Sequence, residues 1–149
     1  MARFVFNLDG VFRLRKQAER ERQRVLAEKL SMVKRLTDEL RAMDAEVQRA
    51  VADVRDNRLT GPLDLGFLAS HRRFSLAMQR RAVDQARRIV AAQQLVDVAR
   101  SELAEAAKQR KVIEKLREKR YELWKAEQNR KEMIELDEVG MQMANAERE

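Results

Sequence analysis

Residues 82–113 read AVDQARRIVAAQQLVDVARSELAEAAKQRKVI. Ala82, Ile89, Val96 and Leu103 recur every seven residues, and Ala92, Ala99, Ala106 and Ile113 do the same, offset by three. Two rows with that spacing form a coiled-coil seam, here with large residues on one row and mostly small ones on the other. The helical character extends well beyond this stretch. From Leu65 to Val139 there is no proline, and the only glycine is Gly66. Ala, Leu, Gln, Glu, Lys and Arg dominate, the residues that lose least on entering a helix. A helix over residues 65–139 would be roughly 110 Å long at about 1.5 Å per residue. A single-chain globule of this size has no room for it inside, so the rest of the chain must run along it or leave it bare.

A second seam precedes the first. Leu26, Val33, Leu40, Val47 and Val54 sit seven apart, with Leu36, Met43 and Ala50 on the companion row. Before Leu26 the same rows hold Phe12, Arg15, Glu19 and Arg22, followed by Lys29. Charged residues there predict a failed heptad, a register shifted to Leu14, Ala18, Val25 and Met32, and loose pairing of the first turns. Asn7 or Asp9 is expected to cap this helix. Between the seams cluster Asn57, Gly61, Pro62 and Gly66, and Pro62 cannot sit inside a continuing helix. A short connection between seams of matching period makes antiparallel neighbours. The expectation is therefore all-α: one coiled-coil domain, residues 1–149, folded as a long antiparallel two-helix hairpin. Its first helix spans residues 8–58, its turn residues 59–64 and its longer second helix residues 65–139. Gly140 is expected to stop that helix and leave residues 140–149 frayed.

Composition removes most chemistry. Cysteine is absent, so there is no disulfide, thiolate zinc site or cysteine nucleophile. His71 is the only histidine, and it lacks companions for a metal site. No glycine loop cradles a phosphate. The carboxylates alternate with Lys and Arg along solvated faces, and a two-helix fold has no deep pocket to perturb them. The reading is a non-enzyme with no cofactor and no metal. No apolar run approaches the roughly 20 residues that span a bilayer.

Charge remains. The chain carries a formal net charge of +7. Arg72, Arg73, Arg80, Arg81, Arg87 and Arg88 lie opposite a segment with Asp38, Glu39, Asp44 and Glu46, which predicts cross-helix ion pairs. Toward the chain ends Arg13, Arg15, Lys16, Arg20, Arg22 and Arg24 oppose Lys108, Arg110, Lys111, Lys115 and Arg117, which predicts an uncompensated basic pole. Phe4, Val5 and Phe6 belong to the same end. They either staple back on the helix start or form a tip that inserts into a partner. Tyr121 and Trp124 are expected on the helix face toward this segment rather than interleaved with basic residues as a base-stacking surface. Phe4, Phe6 and Leu8 as apolar anchors, with Arg13, Arg15, Lys115, Arg117 and Arg120 as steering charges, make up the candidate docking surface. A basic coiled coil that binds nucleic acid is the alternative reading.

Three stretches resemble one family. FVFNLDGVFRLR at residues 4–15, followed by Glu19, is similar to the N-terminal signature of FliJ, the coiled-coil component of the flagellar type III export apparatus. VIEKLREK at residues 112–119 is similar to that family's C-terminal block, and Leu136-Asp137-Glu138 to the acidic pair after it. Phe74, Met78 and Gln85 fit its mid-chain spacing, whereas Arg81 stands where the family usually has a small or apolar residue. The resemblance implies a stalk-like coiled coil, monomeric when free, cytoplasmic and peripheral at the inner face of the membrane. It implies binding to the hexameric export ATPase, with both chain ends entering the ring, and so assigns that partner to the docking surface above. It also implies contact with the membrane export gate through Phe74, Met78, Arg81 and Gln85, and with export chaperones. Injectisome stalk proteins share this architecture.

Overall fold

The computed structural model describes residues 3–146, apart from the side chain of Arg58. Helix α1 spans Asp9–Asp53 and is closed by a π-helical turn, Val54–Arg58. Helix α2 spans Leu65–Ala146. There is no strand among the described residues. The all-α hairpin with a longer second helix is the fold observed. The chain packs as two bodies.

The first body is Glu21–Leu103 and contains the turn. Its seam follows the heptads. Leu26, Val33, Leu36, Leu40, Met43 and Val47 of α1 are half-buried, and Ala92, Val96 and Ala99 of α2 are buried. Val96, fully enclosed at 0 % exposure, sits at the centre of this packing. Arg22 meets Glu102 at 2.7 Å, whereas Leu36 meets Gln85, so partner numbers fall along α2 as they rise along α1, as antiparallel packing requires.

The buried row of α2 runs further back than its apolar residues do. Met78 and Gln85 continue the row of Ala92 and Ala99, and both are only 3 % exposed. Gln85 Nε2 donates to the Leu36 carbonyl at 2.9 Å and to Glu39 Oε2 at 2.8 Å. A buried amide is tolerated only when its hydrogen bonds are made. A polar residue that meets its partner in one register also disfavours the others. Gln85→Ala is expected to cost about 1–3 kcal/mol, read as a lower melting temperature. Gln85→Leu should melt at or above wild type while loosening the register, because the apolar substitute leaves only Glu39 to rehydrate.

The turn has specific chemistry. Asn57 Nδ2 donates to Asp53 Oδ1 at 3.0 Å within the π-helical turn. Gly61 has φ +88°, the left-handed region that favours glycine, and Pro62 follows it. Asp64 then caps α2: its Oδ1 accepts from the Phe67 amide at 3.1 Å.

Three expectations need correction. Gly140 does not end α2, which continues to Ala146. A C-terminal glycine stops a helix by turning left-handed, and among the described residues only Gly61 has positive φ. The part of the frayed tail at residues 147–149 lies outside the described residues. The expected cross-helix ion pairs of the arginine run are also not found. Among the described residues Arg72, Arg73, Arg80, Arg81 and Arg88 have no carboxylate in ion-pair range. Asp38 pairs along its own helix with Arg41, Asp84 with Arg87, and Glu39 is held by Gln85. For Arg73 and Arg80 the reason is position, since with Arg87 they lie on the outermost row of α2, beyond reach of α1; Arg72, Arg81 and Arg88 are simply exposed.

The third correction concerns register. Leu14 is 66 % exposed and Ala18 is exposed, whereas Phe12 is 5 % exposed and Glu19 half-buried. Val25 of the expected register is half-buried, but Leu14, Ala18 and Met32 are exposed, so the heptad of α1 does not shift to that register. Phe12 and Glu19 keep the row of Leu26, and Arg15, Arg22 and Lys29 keep the row of Leu36. Arg15, Glu19 and Arg22 hold these places because Gln109, Arg110 and Glu102 of α2 meet them.

Candidate partner-binding site

The second body joins residues 3–20 to residues 104–146. Its centre is aromatic. Arg117, Arg120, Tyr121 and Trp124 fall at i, i+3, i+4 and i+7, one face of α2. The lead-in before α1 lies on that face. The Phe4 ring meets Tyr121 edge-on at 5.3 Å between centroids and Trp124 at 5.8 Å, while Tyr121 and Trp124 stack at 5.8 Å. Such offset and edge contacts suit ring quadrupoles. Phe6 is 7 % exposed, with the Arg120 guanidinium 5.8 Å from its ring centre. Phe12 lies between two cations, Lys16 Nζ at 4.7 Å and Arg117 Cζ at 5.6 Å. A cation over a ring face keeps its solvation on one side and gains the quadrupole on the other. The face of Tyr121 and Trp124 is therefore turned to the N-terminal segment, as expected.

The lead-in thus folds back and reaches α2. Val5 remains 74 % exposed. The helix start is set by backbone bonds, Asp9 N to Phe6 O at 3.0 Å and Phe12 N to Leu8 O at 2.9 Å. Asp9 is not a cap; it is the first helical residue, and its carboxylate accepts from Arg13 at 2.7 Å. That hydrogen bond holds the Asp9 carboxyl below its ordinary value. A depressed carboxyl pKa contributes stability at neutral pH that is lost as pH falls through the lowered value. Asp9 is half-buried and still open to water, so the contribution is screened.

Beyond the aromatic centre the seam is polar. Arg15 donates to Gln109, and Arg110 pairs with both Glu19 and Glu114. The side chains of Arg110 and Glu19 are 19 % and 16 % exposed, so this pair is drier than any other ion pair among the described residues. No buried side-chain polar atom among the described residues lacks a partner. Cross-helix pairing, expected at the arginine run, occurs here and at Arg22–Glu102 instead. Sequence reasoning missed it because the basic residues of this segment outnumber the acidic ones. The legible signal was positional: Glu19 and Arg110 stand on seam rows.

The docking candidates divide by burial. Phe6 is buried, Phe4 and Leu8 are half-buried, and Arg13, Arg15, Lys115, Arg117 and Arg120 are exposed. Phe4 and Phe6 thus hold the lead-in, and Val5, which was not among the docking candidates, is its most exposed apolar side chain. In the first body, of the four gate candidates, Met78 and Gln85 are enclosed in the seam, Phe74 is half-buried and Arg81 is exposed. Phe12→Ala is expected to cost about 3 kcal/mol of local stability, within the usual range for a buried aromatic. Hydrogen exchange of the amides of residues 9–20 should accelerate roughly a hundredfold while Glu21–Leu103 is unchanged.

No helix among the described residues is long and apolar enough to cross a membrane. Comparison with curated proteins and with solved structures returns no match. The family model described as flagellar FliJ protein matches residues 4–149, nearly the whole chain. The chain, with a paired seam on two helices and an N-terminal lead-in seated on α2, belongs by that match to the FliJ family of flagellar export components.

Proposed function

We propose that this chain is a non-catalytic adaptor of flagellar type III export, which docks on the hexameric export ATPase, links it to the membrane export gate and contacts export chaperones. The family match over residues 4–149 carries this reading. The second body supports it with a surface of suitable chemistry. Val5 and the rim of Leu8 offer apolar contact, and Arg13, Lys115, Arg117 and Arg120 surround them with charge. Interfaces are built in this way, an apolar centre with charges steering approach. Gate contact falls to Arg81 and the exposed edge of Phe74, since Met78 and Gln85 are enclosed. The protein is monomeric when free and works in the cytoplasm at the inner face of the membrane. The test is co-purification with the hexameric export ATPase and stimulation of its hydrolysis by added protein. No association at low salt overturns the reading. Retention on duplex DNA at physiological salt, in place of the ATPase, favours the nucleic-acid alternative.

A further inference from the structure

Leu76, Val83 and Val90 lie seven apart on α2 and are 48 %, 51 % and 59 % exposed. Arg73, Arg80 and Arg87 also lie seven apart, each three residues before one of them. Residues three and four apart are neighbours on a helix, so each arginine borders the apolar row. Seven residues advance about 10.5 Å in close to two full turns, so both rows run nearly straight along one face. Leu76, Gln79, Arg80, Val83, Asp84 and Arg87 line a shallow groove there. The hairpin does not use this face, because its seam is carried by Met78, Gln85, Ala92 and Val96. Single exposed apolar residues are ordinary. A row kept at heptad spacing on an outer face has the form of another seam.

Charge selects what would complete it. Asp84 is the only carboxylate from Leu65 to Val96, against six arginines. It pairs with Arg87 at 3.7 Å, with both side chains largely exposed, and Arg73 and Arg80 have no ion pair among the described residues. We propose that this face docks an amphipathic helix of a partner protein, one that carries Glu or Asp at seven-residue spacing beside a leucine-type row. The apolar rows exclude water, and each carboxylate meets a guanidinium at its edge. Nucleic acid fits less well, since it would leave Leu76, Val83 and Val90 wet and finds no aromatic to stack on. A lipid surface fits less well too, because an interfacial helix needs a broad apolar face, and this row is one residue wide between glutamines and arginines. The inference rests on this face alone and does not depend on the export reading.

The probe is a labelled synthetic helical peptide of about three heptads with Leu at every seventh position and Glu beside each. A second peptide has Lys for every Glu. The Glu peptide should bind the full-length protein and the Lys peptide should not. Val83→Gln and Arg80→Glu should each weaken Glu-peptide binding by about tenfold or more, and Arg80→Glu should gain affinity for the Lys peptide. Val98→Gln, exposed on another row, should change neither. These positions are exposed, so circular dichroism should show all three variants as helical as wild type. Equal binding of the Glu peptide by wild type and Val83→Gln overturns the proposal. So does binding of duplex DNA or phosphatidylserine vesicles that is tighter than binding of the peptide and depends on Arg80 but not on Val83.

Discussion

Removal of the residues before Leu8 is expected to abolish capture of the export ATPase while leaving Glu21–Leu103 folded. The lead-in reaches α2 only in the second body, through Phe4 on Tyr121 and Trp124 and through Phe6 under Arg120. The lead-in belongs to the second body and the seam from Leu26 to Val54 to the first, so the main melting transition should hold. Truncation, however, also uncovers Tyr121 and Trp124, and a purely packing role would lose stability in the same place. Point variants separate the two. Arg13→Glu with Arg15→Glu keeps Phe4 and Phe6 seated and reverses exposed charge. Association with the ATPase should slow by about tenfold or more at low salt and by less at high salt, because steering is screened within roughly a Debye length. Unchanged binding of both the truncation and the double variant, corrected for folded fraction, would show that the lead-in only packs.

Val96→Asp is expected to unfold Glu21–Leu103 outright, whereas Val98→Asp, two residues on, should be nearly silent. Val96 is 0 % exposed and Val98 56 % exposed. The first substitution removes a buried valine and places a carboxyl where nothing can hydrogen-bond it. The lost burial and the desolvation together amount to at least about 4 kcal/mol. Small folded bodies have about 5–15 kcal/mol in all, and a body with a single seam belongs at the low end. At Val98 the carboxyl stays in water and only helix propensity changes, by a few tenths of a kcal/mol. Helical signal at 222 nm and the urea midpoint read both variants. Equal loss in the two would mean that the heptad has been read one face out.

The two seams were legible because heptad spacing is a property of order along the chain. Leu26 to Val54 and Ala82 to Ile113 need no knowledge of a partner to declare a buried stripe, and Gly61-Pro62 marks where the stripe must turn. The turn of Tyr121 and Trp124 toward the N-terminal segment was also expected from the sequence. What periodicity cannot decide is the fate of a polar residue on a seam row. Gln85 and Glu19 look like interruptions in one dimension. Gln85 is buried because the Leu36 carbonyl and Glu39 meet it, and Glu19 is half-buried because Arg110 meets it. Opposed charge blocks were equally ambiguous. Counting carboxylates against arginines predicted bridges at Arg72–Arg88, but Arg73, Arg80 and Arg87 stand on the outermost row and cannot reach across the hairpin. Arg22 and Arg110, on seam rows, can, and only the packed structure assigns each charge to its row.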